Sequence, residues 1–453
     1  MQTVHFIAIG GQGMSGIARI LLDRGYRVSG SDLRESSLTK RLGELGAAIH
    51  IGHRASNLGD PDMVVVSSAI HPDNPELREA RARGIPVVHR MDALLAAVEG
   101  KRLVAIAGAH GKTTTTSMAA WALTEAGMEP TYLVGGELGA EGNAQSGSGD
   151  YAVFETDESD GSFLKVRADI ALTTNIDNDH LEHWGSMEAL EQAFYRFLDA
   201  VKPGGARIAC ADDARLREYA GSRAGTQTYA TGAVAQWEGR DYRPQGWGST
   251  TCVFREGHEV ATLSLRVPGL HNAQDALGAV AAACATGLVP GEAAGYLASY
   301  PGVKRRLERI GEFAGVLVLD DFAHHPSEIT ASLSAVRSAL PGQNVTVVFQ
   351  PHRYSRTRLL QDDFGLSLAA ADRVVVTGIY AGPGEEREKG VSSSFVSDAI
   401  KAHGHTSVLL VEDKDDAARE AAVSSRPGDV VVTMGAGDVW KTHGIIRDTL
   451  ERA

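Results

Sequence analysis

The chain has 453 residues, 43% of them hydrophobic and 22% charged, which suits a globular protein of about three domains, each with a core of its own. Its 44 Lys and Arg stand against 57 Asp and Glu, and the formal net charge of −13 argues against a general binder of nucleic acid or membrane surface. Cys210, Cys252 and Cys284 lie far apart with no C-x-x-C spacing, so neither a disulfide framework nor a zinc ribbon is expected, and a cytoplasmic setting is.

In chain order, residues 3–9 read as a buried strand and 14–24 as a helix. Strand-like runs follow from 27, at 63–67 and at 86–88, an alternation that predicts βαβ units on a parallel sheet. A strand at 103–107 opens a second unit. Within it, residues 135–150 read as loop, 236–254 as antiparallel hairpins and 272–286 as an Ala-rich helix. A third α/β section starts near 303, with strands at 316–319, 345–349, 373–376, 407–411 and 430–433. Cuts near 98 and 302 give domains of 1–98, 99–302 and 303–453. The longest uncharged apolar run, 276–289, falls short of the roughly 20 residues a membrane span needs. With no basic leader or cleavage signal at the N-terminus, no membrane insertion is expected.

Three groups of residues carry chemistry. Gly11-Gln12-Gly13-Met14-Ser15-Gly16 follows a strand and opens a helix, and Asp32 ends the next strand. Such glycines let a pyrophosphate approach backbone N–H groups at a helix N-terminus. The geometry suits a nicotinamide dinucleotide and a nucleotide-sugar equally. The second group, Gly108-Ala109-His110-Gly111-Lys112-Thr113-Thr114, sits between a strand and a helix and reads as a phosphate-cradling loop. Its Lys neutralises phosphate oxygens and its Thr hydroxyl takes Mg²⁺. The loop departs from the general P-loop pattern, because Ile106 stands where the first Gly belongs. Third come acidic residues at the ends of two strand-like runs, Glu155 to Asp160 and Asn175 to His180. A carboxylate there is a second Mg²⁺ ligand, His180 is a candidate for another metal or for substrate, and a solvated acidic loop is the bland alternative.

Two further polar segments, Asp320-Asp321-Phe-Ala-His324-His325 and His352-Arg353-Tyr-Ser-Arg356, each follow a hydrophobic strand, at the edge where α/β sheets bind ligands. Arg353 and Arg356 are three apart, which fits one helical face gripping a carboxylate or phosphate. A nicotinamide oxidoreductase explains only the first loop. A non-catalytic nucleotide-binding regulator explains the second but has no use for Glu155, His180 and Arg356 together.

Taken in order, HFIAIGGQGMSGIA, GSD at Asp32, SSAI with Asn74-Pro75-Glu76, AGAHGKTTTT, ETDESD, TNIDNDH, PGLHNAQDA, GVKRRLE, DDFAHHPSE and FQPHRYSRTR resemble the Mur ligase family over nearly the whole length. The resemblance implies an α/β protein of three domains: a Rossmann-like UDP-binding domain, a central P-loop ATPase-type domain and a C-terminal Rossmann-like domain. It implies an ATP-dependent ligase of peptidoglycan synthesis that joins L-alanine to the lactyl carboxylate of UDP-N-acetylmuramate through an acyl phosphate, as a monomer or weak dimer. By similarity, the first loop, Asp32, Ser67 and Ser68 hold the UDP-sugar. Lys112 and Thr113 serve ATP and Mg²⁺, with Glu155 and His180 as further metal ligands. Asn272 contacts adenine, Arg306 phosphate and Asp321 ribose, while His324, His352, Arg353 and Arg356 receive the amino acid. Three departures stand out. Asp275 replaces the second Asn of His-Asn-x-x-Asn, Phe322-Ala323 replaces a Tyr-Gly pair, and the spelling DDFAHHP with KRRLE also resembles the murein tripeptide ligases. No lysine lies between His180 and Lys202 to serve as the carbamylated lysine of other family members.

Overall fold

The computed structural model describes residues 2–139, 142–382 and 385–452. Its strands form three sheets. The first has five parallel strands, ordered Ala48–Ile51, Arg27–Asp32, Thr3–Ile7, Met63–Val66 and Val87–His89. The chain winds outward from Thr3–Ile7 on one side and then returns to the other. The glycine loop after that strand therefore sits at the point where the order reverses, the usual ligand crevice of an open α/β sheet.

The second sheet has ten strands. Arg102–Ala107 lies inside it, parallel to Ile170–Thr173 on one side and Tyr151–Glu155 on the other. Within the expected loop at 135–150, residues 135–138 and 142–145 are instead strand, while 146–150 stay outside the sheet: Thr131–Leu138 pairs parallel to Tyr151–Glu155 and antiparallel to Gly142–Gln145. Glycine, glutamate and asparagine carry little strand preference, and here the neighbouring strands supply the ladder. The expected hairpins form as Trp237–Gln245, Gly248–Arg255 and His258–Leu265. The last two are joined by Glu256 and Gly257, both at positive φ (52° and 82°), as a two-residue type I′ turn requires.

The third sheet runs Glu308–Phe313, Val316–Asp321, Val430–Met434, Val345–Phe349, Arg373–Val376 and Val408–Leu410. Its first pair is antiparallel and the rest parallel. Strand Glu308–Phe313 was not expected; it folds back through Ala314 and Gly315, again both at positive φ. Alternation along Val316–Asp321 sorts side chains to two cores. Leu317 and Leu319 meet Ile329, Leu333 and Phe364, whereas Val316 and Val318 meet Ala418, Ala421 and Ile446. A mostly parallel sheet covered by helices on both faces results.

The molecule is a three-domain α/β protein in two compact units. The first unit holds residues 1–242, 250–265 and 272–303, so the first two sheets share it; the second holds 243–249, 266–271 and 304–453. No helix of the described residues is long and apolar enough to cross a membrane.

Candidate active site

Gly11 caps the Gln12–Asp23 helix in an extended conformation, with no acidic residue in the first turn to occupy the N-terminal N–H groups. Asp32 does not stand apart from this loop: its Oδ2 accepts the Gly10 N–H at 2.9 Å. Asn143 donates to the Gln12 carbonyl at 2.7 Å. Met14 and Ser15 bury their side chains, the Ser15 hydroxyl donates to the Gln12 carbonyl at 3.0 Å and the Ser15 N–H to Gly11 O. Ser68 donates to Asp160 at 2.7 Å, while the Ser67 carbonyl accepts the Ile70 N–H. Arg90 was not foreseen from the sequence. Its guanidinium lies 3.5 Å from where a Cβ on Gly13 would sit and donates to Asp157 at 2.5 Å and Asp160 at 3.3 Å.

The Arg102–Ala107 strand hands the chain to Gly108, at φ 140°, and Gly111, at φ 77°. A Cβ on Gly111 would lie 2.4 Å from Asp275 Oδ1, so a larger residue is strained there and must displace that carboxylate. The loop is riveted from below by the TNIDNDH segment. Ala109 N–H reaches Asn175 O at 3.0 Å, His110 N–H reaches Asn175 Oδ1 at 2.8 Å, and Thr174 Oγ1 donates to His110 O at 2.6 Å. The His110 ring adds a 2.9 Å bond to Asp177. Part of the segment expected to bind metal thus scaffolds the loop.

Lys112 opens the Lys112–Glu125 helix, where Thr114 is also buried. Its Nζ donates to Gly108 O, to Ala109 O at 3.1 Å and to Glu158 Oε1 at 2.8 Å. Burial opposes the ammonium charge, yet Glu158, with Asp157 and Glu155 behind it, raises its pKa. Burial and Asp157 in turn raise the Glu158 carboxyl against the pull of Lys112 and His180. Both groups therefore hold protons more tightly than usual, Lys112 because carboxylates surround it and Glu158 chiefly because it is buried.

Thr113 Oγ1 donates to Glu155 Oε2 at 2.7 Å, which brings two hard oxygen donors together. A Cβ on Gly135 would fall 1.8 Å from Glu155 Oε1, so only glycine leaves that carboxylate its place. Oxygen donors beside a phosphate loop fit Mg²⁺. His180, at φ 58°, precedes the Leu181–Trp184 helix and faces Asp179 at 3.6 Å. Asn272 and Asp275 are buried in the Leu270–Ala285 helix; Asp275 accepts from Thr115 at 3.2 Å beneath the loop.

In the second unit, Asp321 is buried and accepts the N–H groups of Leu307 and Ala323, both at 2.7 Å, clamping the turn that carries Arg306. Burial, partly offset by Arg306, pushes its carboxyl up to about 6. Phe322 lies under both Arg305 and Arg306, 4.9 and 5.1 Å from its ring centre, so the departure from tyrosine leaves a cation–π seat. The His324 and His352 rings meet edge to face at 5.6 Å, and Arg356 bonds His352 Nδ1 at 3.2 Å. Arg353 and Arg356 do not share a helical face. Arg353 sits before the Tyr354–Leu359 helix at φ 67°, because its N–H is tied to Tyr380 O at 2.9 Å, and its side chain lies along Gly382.

Comparison with known proteins places this geometry. Residues 3–102 match the Mur ligase family catalytic domain, 106–283 the Mur ligase middle domain and 305–437 the Mur ligase glutamate ligase domain. The UDP-N-acetylmuramate–L-alanine ligase of Pelotomaculum thermopropionicum is 46% identical over 440 residues, covering 96% of this chain and 95% of its own. This chain belongs to the Mur ligase family. The Streptomyces coelicolor enzyme of the same name is also 46% identical, covering 100% of this chain and 98% of its own. The crystal structure of UDP-N-acetylmuramate–alanine ligase MurC from Thermotoga maritima superposes with a TM-score of 0.85 at 29% identity, over 100% of this chain and 99% of the other. A murein peptide ligase from Psychrobacter arcticus shares the Mur ligase fold at a TM-score of 0.74 and 24% identity, over 100% and 99%.

Within this Mur ligase, the first unit brings Lys112, Thr113 and Glu155 together, and the second brings His324, His352 and Arg356 together. Arg90 escaped the sequence reading, and Glu158 stood in the acidic run Glu155–Asp160 without a role of its own. Each was one charged residue among many, and only the fold shows the partner that gives it a task.

Proposed function

We propose that this Mur ligase joins L-alanine to the lactyl carboxylate of UDP-N-acetylmuramate at the expense of ATP, giving UDP-N-acetylmuramoyl-L-alanine, ADP and phosphate for peptidoglycan synthesis in the cytoplasm. The observation that carries the reading is the full-length identity to ligases of that name, on a chain whose P-loop lysine, threonine and acidic partner are assembled. Residues 1–98 hold the UDP-sugar through Gly11, Gln12, Gly13 and Asp32, with Met14 and Ser15 shaping the helix start. Residues 99–302 hold ATP through Gly108 to Thr114 and Asn272. Residues 303–453 add Arg306 and Asp321 for the nucleotide and His324, His352, Arg353 and Arg356 for the amino acid. The protein works as a monomer or weak dimer.

A carboxylate resists nucleophiles because attack places more negative charge on it. Transfer of the ATP γ-phosphoryl to the lactyl oxygen makes an acyl phosphate with a good leaving group. The alanine amine then adds to the carbonyl carbon, the tetrahedral intermediate expels phosphate with the C–O electron pair, and the amine's surplus protons leave with it or to solvent. Bringing two anions together calls for cationic screening, which Lys112 supplies at the phosphate loop. Thr113, Glu155 and His180 would hold Mg²⁺, which screens the phosphate charge when bound.

The test is phosphate release with Mg-ATP and UDP-N-acetylmuramate against L-Ala, Gly, L-Ser and murein tripeptide, with mass spectrometry of the product. Turnover with L-alanine and a product one alanine heavier is expected. Turnover with tripeptide alone overturns the assignment in favour of a recycling ligase.

A further inference from the structure

We propose that Glu158 is a positioning residue that competes with the nucleotide for the P-loop lysine: it parks Lys112 in the nucleotide-free enzyme and must release it before phosphate oxygens can bind. The proposal rests on reading residues 108–114 as the ATP phosphate loop.

Lys112 Nζ has three protons to give, and all three are taken, by Gly108 O, Ala109 O and Glu158 Oε1. A phosphate oxygen reaching for this ammonium has to displace one acceptor. Two of them are backbone carbonyls of the loop itself, which Thr174 and Asn175 hold in place. The third is a side chain arriving from 46 residues away, and it alone can swing aside without breaking the loop.

The state of Glu158 itself shows that the arrangement is a holding position. Its side chain is 4% exposed, and its Oε2 is buried with no hydrogen-bond partner among the described residues. A settled buried carboxylate uses both oxygens, as Asp321 does in the second unit. Among the described residues the Glu158 side chain is hydrogen-bonded through Lys112, and burial and the neighbouring Asp157 charge disfavour its ionised form against the pull of Lys112 and His180. Once a triphosphate takes Lys112, Glu158 loses its hydrogen-bond partner and faces another anion, with the pull of His180 left to offset it. The contact thus raises the threshold for nucleotide binding and penalises nucleotides that arrive without a cation.

The experiment measures ATP affinity of the full chain by calorimetry, in EDTA and in excess Mg²⁺, for wild type, Glu158→Gln, Glu158→Asp and Glu158→Gln combined with Lys112→Met. Glu158→Gln keeps the shape but abolishes the charge, and the expected result is an ATP Kd at least tenfold lower in EDTA, with a smaller gain in Mg²⁺. Glu158→Asp draws the carboxylate back by one methylene and falls between. In the Lys112→Met background the gain disappears. An ATP Kd in the Gln variant that is unchanged or weaker, with the far-ultraviolet spectrum and melting point retained, overturns the proposal. If the Gln variant does not fold, the Asp variant decides by the same criterion. Wild-type enzyme that binds no ATP even with Mg²⁺ overturns the phosphate-loop reading itself.

Discussion

Glu76 is fully buried and yet held ionised. Its Oε2 accepts from Ser31 at 2.5 Å and pairs with His5 at 3.2 Å, while Oε1 accepts from Asn57 at 2.7 Å and the Arg54 N–H at 3.0 Å. Burial alone raises a carboxyl pKa; here the donors prevail and bring it from 4.5 to about 2. A group depressed on folding stabilises the fold above its unfolded pKa and loses that contribution as pH falls toward its folded one. Glu76→Gln is therefore expected to destabilise the first unit by about 3 kcal/mol at pH 7, a gap that narrows by roughly half at pH 3. Urea midpoints at the two pH values check this, and an equal loss at both contradicts the linkage. Lys112→Ala is expected to lower turnover about a hundredfold or more, as loss of a transition-state charge donor does, and near-normal turnover in the folded variant contradicts the phosphate-loop reading. At this scale the sequence showed which side chains carry chemistry when they fall within one motif, as Lys112 and Thr113 do. It did not show Arg90, because its acceptor Asp157 lies 67 residues away and no local pattern joins them.

The phosphate loop shows how an element constrains its residues. Gly111 combines a φ of 77° with a Cβ position 2.4 Å from Asp275 Oδ1, so an added methyl meets strain and a carboxylate at once. Gly111→Ala is expected to weaken ATP binding at least tenfold by shifting the N–H groups of the loop, while stability falls by only about 1–3 kcal/mol. A titration against the melting curve separates the two effects, and an unchanged ATP Kd counts against the loop as the phosphate site. Hydrophobic strands such as Val345–Phe349 and Val430–Met434 were legible because five apolar or β-branched residues in a row have few other uses. Thr131–Leu138 was only half legible: its Tyr132, Leu133 and Val134 are buried, but Gly135 and Gly136 mask the rest. Arg353 misled for a related reason. Spacing of three suggests a shared helical face, but a backbone bond to Tyr380 delays the helix by one residue, and no count of residues reveals that.

At the scale of the whole molecule, three sheets resolve into two compact units rather than three. The first two domains are tied by charged contacts that converge on one carboxylate. Asp160 accepts Ser68 at 2.7 Å and Arg90 at 3.3 Å and faces His89 at 3.3 Å, and despite burial its bonds with His89, Ser162 and Ser68 hold its pKa far below the carboxylate range. Asn143 adds a bond to Gln12, and Lys165 pairs with Asp92 at 2.7 Å. Ion pairs that are partly buried and share a common acceptor are worth more than isolated surface pairs, and removing the acceptor leaves Arg90 with Asp157 alone. Calorimetry of the full chain is therefore expected to show two transitions, one for each compact unit. UDP-N-acetylmuramate should raise the transition of the unit that carries the glycine loop and leave the other in place, since a ligand stabilises only the unit that binds it. Asp160→Ala should split the first transition in two by uncoupling the domains that Asp160 joins. A single transition for the whole wild-type chain, or an Asp160→Ala profile that coincides with wild type, would show that this carboxylate does not make one cooperative unit of two domains.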